Sequence, residues 1–265
     1  RHALGLCGTR ASGLTSQFGS MGKPYNAGIS AANGVECATL AGLGFTSADD
    51  GLMGHQGFVG AHLPSGGAVT GPDLALDSYK FPDNKYKLHA CCHGLHPMIE
   101  ALQASEAAAG VPLDDIKSFS LSTNPRWLAV CDIKRPRTGL EVKFSYNWLA
   151  GMTLRGDNTG DDRLFTDTIA GEAELGRFAE RISVTGDDQL TDLQARGEIS
   201  LTDGRAIPVW FDLADPFAPE VLAEKLQRKS STIIGDAGAA IWDLHPRLGQ
   251  LGARDIASAM LAASA

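Results

Sequence analysis

Tyr86-Lys87-Leu88-His89-Ala90-Cys91-Cys92-His93-Gly94-Leu95-His96-Pro97 is where the chain changes character. Tyr86, Leu88 and Ala90 alternate with polar or basic residues, the period of a strand. Pro97 then suits the first turn of a helix that runs through Ile99, Leu102 and Ala108 to Gly110. On the N-terminal side, residues 1–77 are rich in Gly and Ala and poor in β-branched residues. Pro24 to Leu43 predicts a helix with Gly44 as its stop, and Thr46 or Ser47 ahead of Asp49 and Asp50 predicts the next N-cap. On the C-terminal side, Ile182 and Val184 alternate, and Ala195, Gly197, Ile199 and Leu201 lead into Asp203-Gly204. That dipeptide is a strong hairpin signal, with Ile207 to Phe211 as the returning strand. After Asp215-Pro216 the helical period resumes at Leu222 and Leu226, then Ile241, Leu244 and Leu248, then Ile256 and Met260. The fold class expected is α+β: a helical domain part at 1–77, an α+β domain at 78–211 and a helical return at 212–265, with boundaries set by shifts of composition.

The 265 residues are 43% hydrophobic and 20% charged, an ordinary globular composition that excludes disorder, collagen-like repeats and coiled coil. With 23 basic against 31 acidic residues the net charge is -8, and no basic cluster interrupts the chain, so neither nucleic acid nor an anionic membrane is an expected partner. No apolar run has the length of a membrane span, and no signal peptide pattern opens the sequence. Five scattered cysteines, Cys7, Cys37, Cys91, Cys92 and Cys131, suggest thiols in a reducing compartment, hence a cytoplasmic protein, and argue against an iron-sulfur cluster. The chain begins at Arg1 and reads at once as the middle of a domain, so a fragment or processed product is expected.

Three constellations carry chemistry. Gly19-Ser20-Met21-Gly22-Lys23-Pro24 sets a lysine on a glycine-flanked turn ahead of a helix, a place that favours an anion, although it lacks the spacing of a P-loop. The plain alternative is an exposed lysine at a helix start. The stretch from Lys87 to Pro97 packs three histidines, two cysteines and a lysine into eleven residues. On one continuous helix His89, His93 and His96 would share a face and hold a metal, but Gly94 and Pro97 break that continuity and adjacent Cys91-Cys92 is not a zinc pair. Pro97 makes His96 the N-cap and leaves His89 and His93 on the strand and loop before it. A histidine there is either an acid/base group or simply a cap. Arg135-Pro136-Arg137-Thr138-Gly139-Leu140-Glu141-Val142-Lys143-Phe144-Ser145-Tyr146-Asn147-Trp148, basic and then aromatic, is either a carboxylate holder or a solvated turn. His55, His62 and His245 stand alone and read as structural.

Four stretches together resemble the MmgE/PrpD family, which includes 2-methylcitrate dehydratase, cis-aconitate decarboxylase and iminodisuccinate epimerase. They are Ala11-Ser12-Gly13-Leu14 through Phe18-Gly19-Ser20-Met21-Gly22-Lys23-Pro24, Ala32-Asn33-Gly34-Val35 to Gly44-Phe45-Thr46, Lys87 to His96-Pro97, and Thr138-Gly139-Leu140-Glu141-Val142-Lys143-Phe144-Ser145. The resemblance implies an all-helical domain formed from both chain ends, an inserted α+β lid, and an active site in the cleft between them. It puts Lys23 at the active-site lysine of the helical domain, Lys87 at the lysine opening the lid motif and His96 at the histidine closing it. Cys92 falls where decarboxylases carry histidine, and Trp148 where many relatives have tyrosine. His93 replaces a frequent arginine and His89 a frequent aromatic residue. The family's Asp/Thr/His group and a further histidine, from the N-terminal half of the helical domain, have no counterpart among these residues.

The chemistry implied is removal of a proton next to a carboxylate and loss of a β-hydroxyl from a small polycarboxylate, as in a 2-methylcitrate dehydratase. Lys23 and Lys87 would stabilise the enolate-like state, with His96, His93 or a histidine on the absent segment as the base. His93, Cys92, Trp148, Lys143 and Ser145 are the expected substrate-binding residues, with no metal or organic cofactor required and a homodimer as the expected assembly. The rivals are an epimerase, isomerase or decarboxylase of the same family, a truncated non-catalytic partner subunit, and a zinc hydrolase on His89, His93 and His96.

Overall fold

A computed structural model of the chain describes residues 1–54, 56–63 and 84–263. It divides into two compact units, Arg1–Lys85 and Tyr86–Ala265. The expected boundary at 77/78 lies outside the described residues, as does His55. Among the described residues no helix is long and apolar enough to cross a membrane.

The first unit holds α1 (His2–Thr9), α2 (Gly22–Gly42) and α3 (Phe58–His62). Helix α2 forms where the sequence predicts it, because Pro24 sits in the first turn where its missing N–H costs nothing. It packs on α1, with Cys37 and Asn33 buried and the Asn33 amide donating to the Arg10 carbonyl at 3.0 Å. Gly44 follows at φ +90°, where a side chain would be strained. The N-cap expected at Thr46 or Ser47 is not realised. The Ser47 backbone N–H donates to His2 Nδ1 at 3.1 Å, and Asp50 Oδ1 accepts from Met53 N–H at 2.8 Å. Those side-chain bonds stabilise turns instead of a helix, and the next helix waits until Phe58.

The second unit is built around a mixed four-stranded sheet in the order β2-β1-β3-β4. Its strands are β1 (Ile116–Thr123), β2 (Ile182–Gly186), β3 (Gln194–Leu201) and β4 (Ala206–Asp212). Strand β1 pairs parallel with β2 and antiparallel with β3, while β3 and β4 form the predicted hairpin with Gly204 at φ +91°. Between β1 and β2 lie α5 (Pro125–Cys131), α6 (Gly139–Val142), α7 (Tyr146–Arg155), α8 (Asp167–Ala170) and α9 (Ala173–Ala179). Helix α4 (His96–Ala104) covers β3 and β4 on one side and packs on α7 on the other. The core comprises Leu95, Ile99, Leu102, Phe119, Leu121, Tyr146, Leu149 and Phe178 with their neighbours. After β4 come α10 (Pro219–Ile234), α11 (Asp236–Trp242) and α12 (Ala253–Ala263), which carry Leu222 and Leu226, Ile241, and Ile256 and Met260; the helical period expected through Leu244 and Leu248 is broken, with Leu244 in a turn and Leu248 in the 3-10 turn His245–Gln250. The class is therefore α+β.

Two local readings need correction. Residues 86–90 make no strand: Leu88 and His89 are both buried, and among the described residues the ladder-like bonds run to loops, from Ala90 N–H to the Thr159 carbonyl and from Cys92 N–H to the Lys143 carbonyl. The helix after Pro97 ends at Ala104, not Gly110, because Ser105 turns extended and its Oγ donates to the Leu102 carbonyl at 2.7 Å. A separate 3-10 turn, Glu106–Ala109, fills the gap, and Gly110 closes it at φ +98°.

Candidate functional site

The extended segment before α4 is clamped between the loop at Thr159 and the backbone of Lys143, at 2.8 and 2.9 Å. It then tightens into a 3-10 turn, His93–Leu95, that feeds directly into α4. His96 is therefore the first residue of the helix and Leu95 its N-cap, one position from the expectation. The Tyr146 hydroxyl donates to the Gly94 carbonyl at 2.9 Å and fixes the turn from below. Gly94 has no room for a side chain, since a Cβ would lie 2.3 Å from the Trp127 ring.

This path brings the three histidines together. The His96 ring lies 4.9 Å from those of both His89 and His93. His89 is buried, with Nδ1 2.7 Å from Thr159 Oγ1 and Nε2 3.1 Å from Glu100 Oε1. Burial pushes the His89 pKa down despite Glu100, so a neutral ring donates through Nε2–H to the carboxylate and accepts at Nδ1 from the threonine hydroxyl. Glu100 Oε2 accepts from Lys225 Nζ at 2.8 Å. Burial alone would raise the Glu100 pKa, but the hydrogen bonds from His89 and Lys225 hold it below the usual carboxylate range.

His96 is different. It is 1% exposed, its Nε2 meets no partner among the described residues, and burial together with His89, His93, Lys87 and Lys229 drives its pKa down to about 2. It is a neutral imidazole with a buried ring nitrogen that no described residue satisfies. Both nitrogens of His89 are taken, and among the described residues no group of three or more His, Cys, Asp or Glu is arranged for a metal ion.

The other expected residues are distributed as follows. Lys87 is exposed beside this cluster, where its charge acts on His96, Cys91 and Lys229. Cys92 is buried next to Cys91, whose thiol burial pushes up to about 12, so Cys91 stays protonated. Lys143 stands over the Phe165 ring at 4.9 Å. Ser145 is the N-cap of α7, its Oγ accepting from Trp148 N–H. Trp148 donates its indole N–H to the Ile169 carbonyl at 3.0 Å and lines a separate cavity of about 610 Å³ with Asn147 and Arg177. Lys23 belongs to the first unit, half-buried over the Phe18 ring at 5.2 Å. Within the basic-aromatic stretch, Arg137 pairs with Glu141 and Thr138 caps α6, so that part is a capped turn.

Glu100, Thr159, Lys225 and Lys229 went unmarked in the sequence. Glu100 carried a signal, one helical turn after His96; the lysines of α10 carried none, because only packing brings them to α4. A small cavity of about 70 Å³ opens among His89, Glu100, Thr159, Lys225 and Lys229. No curated protein matches the chain. The family model of the MmgE/PrpD C-terminal domain matches residues 89–244, which span the histidine cluster, the whole sheet and α10. The chain accordingly belongs to the MmgE/PrpD family.

Proposed function

We propose that this chain is a cofactor-independent lyase that removes a proton next to a carboxylate and eliminates water from a small polycarboxylate, in the manner of a 2-methylcitrate dehydratase. The observation that carries the reading is the neutral, buried Nε2 of His96, without a partner among the described residues and under the charge of Lys87 and Lys229, in a chain of this family. An α-proton of a carboxylate is very weakly acidic, so the rate depends on fixed positive charge at the enolate-like state, which Lys87 would supply. Lys23 enters through the resemblance alone, as a second cation. His96 takes the proton at Nε2. A substrate carboxylate against the ring restores the basicity that burial and the lysines remove. The C–H electron pair becomes the new C=C bond, and the β-hydroxyl leaves as water with the proton that His96 has taken up.

His93, Cys92, Lys143, Ser145 and Trp148 are proposed to shape the pocket, Ser145 and Trp148 indirectly through the start of α7. The domain division at 77/78 and 211/212, the lid, a homodimer and a cytoplasmic location belong to the same proposal. Proton NMR in D₂O with 2-methylcitrate, citrate, cis-aconitate and aspartate-like dicarboxylates tests the reaction. A new alkene signal is expected, with Lys87→Met lowering kcat/KM by about 10²–10³. Deuterium exchange without alkene would replace the dehydratase by an epimerase, loss of carbon dioxide by a decarboxylase, and silence by a non-catalytic subunit.

A further inference from the structure

Both carboxylate oxygens of Glu100 are engaged, Oε1 by His89 and Oε2 by Lys225. The negative charge in the 70 Å³ cavity is thus already spoken for. Lys229, half-buried one turn along α10 from Lys225, lines the same cavity, and among the described residues neither it nor Lys87 has an ion-pair partner. Burial and the charge of Lys87 push the Lys229 pKa down, as expected for cations gathered without a counter-ion. Gly160 also lines the cavity, and a Cβ there would stand 3.2 Å from both the Leu88 carbonyl and Asn158 Oδ1. A space of this size admits a carboxylate-sized anion.

We infer that this cavity is a seat for one carboxylate of the substrate, with Lys229 as its binding cation and the Thr159-His89-Glu100-Lys225 chain as its rigid neutral wall. The inference rests on the polycarboxylate reading for its ligand, and inorganic phosphate shares the chemistry. Lys225 holds Glu100 and so positions the wall. Lys229 is the substrate contact on α10, and it distinguishes substrates by whether they carry a carboxylate at that reach.

Isothermal titration of the intact chain with tricarballylate, which lacks the β-hydroxyl, and with inorganic phosphate tests the seat. Lys229→Gln is expected to raise the tricarballylate Kd about tenfold, the loss of one charge-assisted hydrogen bond, while Lys229→Arg stays within about threefold. Unchanged binding by folded Lys229→Gln overturns the seat and leaves the lyase reading standing. Lys229-dependent phosphate binding, without polycarboxylate binding or turnover, keeps the seat and removes the lyase reading. Binding of neither probe to the parent chain removes both. Should Lys229→Gln unfold, reductive ¹³C-methylation decides: a shift of the Lys229 resonance on adding tricarballylate supports the seat, and no shift overturns it.

Discussion

Helices α2 and α7 were formed by opposite means. Helix α2 has 21 residues, yet only Asn33 and Cys37 are buried, while Tyr25 and Val35 stand 64% and 70% exposed. Helix α7 has 10, and every residue from Tyr146 to Leu154 is buried. The signals at their ends run the other way. Helix α2 starts with proline in its first turn and is followed by Gly44 at φ +90°, so its ends are marked by local signals, although its five alanines are set against four glycines. Helix α7 mixes Tyr, Asn, Trp, Gly and Thr with the better helix formers Leu, Ala, Met and Arg, and is held by Ser145 at its N-cap, Gly156 at φ +89° beyond its end, and contacts to α4 and α9. A helix can be legible from its own residues and contribute little to the core, while a helix central to the core need not be legible at all.

The largest expected effect lies at α7. Tyr146→Ala removes a fully buried ring and its bonds to Thr123 and Gly94, and should cost about 3–5 kcal/mol in urea unfolding. A loss under about 1 kcal/mol would show that α7 does not organise the core. Next comes acid sensitivity, a property of the unit that holds α7. His96 and His89 are neutral in the fold and their pKa values are depressed, so the unfolded chain binds the extra protons. Their contribution is complete above about pH 6.5 and drains away as pH falls toward the folded value, about 2 for His96. Stability should drop by up to about 1.4 kcal/mol per pH unit for each proton taken up, and His96→Leu should flatten the slope between pH 7 and 5. A slope indifferent to that change would mean that His96 is solvated in solution. Smallest is Val35→Ala on α2, expected within about 0.5 kcal/mol by thermal unfolding. A cost above 1 kcal/mol would mean that Val35 is covered in solution, and the contrast between the two helices would collapse.

The same distinction decides what could be read from residues alone. Asp203-Gly204 placed the β3–β4 hairpin because the short turn between Leu201 and Ala206 is local chemistry. Strand β1 escaped notice although Phe119, Leu121 and Thr123 alternate inward. A register shift between Ile116 and Ser118 breaks the period, and serines dilute it. The strand expected at Tyr86 to Ala90 failed for the converse reason: the alternation is present, but burial of adjacent Leu88 and His89 is incompatible with a one-sided strand. In the candidate site, the density of histidine between His89 and His96 was visible, and so was its placement before a helix. Lys225 and Lys229 were not, because their relation to Glu100 and His89 arises only when α10 docks on the unit.

Strand β1 lies at the centre of the sheet, and both its partners follow it in the chain: β2 after five helices, and β3 later still. During synthesis it emerges first and waits longest. Phe119 and Leu121, with two open backbone edges, must be screened until Ile182 and then Ile199 have been made. The hairpin partner β4 needs only a turn to find β3. The most vulnerable moment of this protein is therefore the interval of translation between its first strand and its second, and the hazard lies in Phe119–Thr123, a segment fully paired once the sheet is complete.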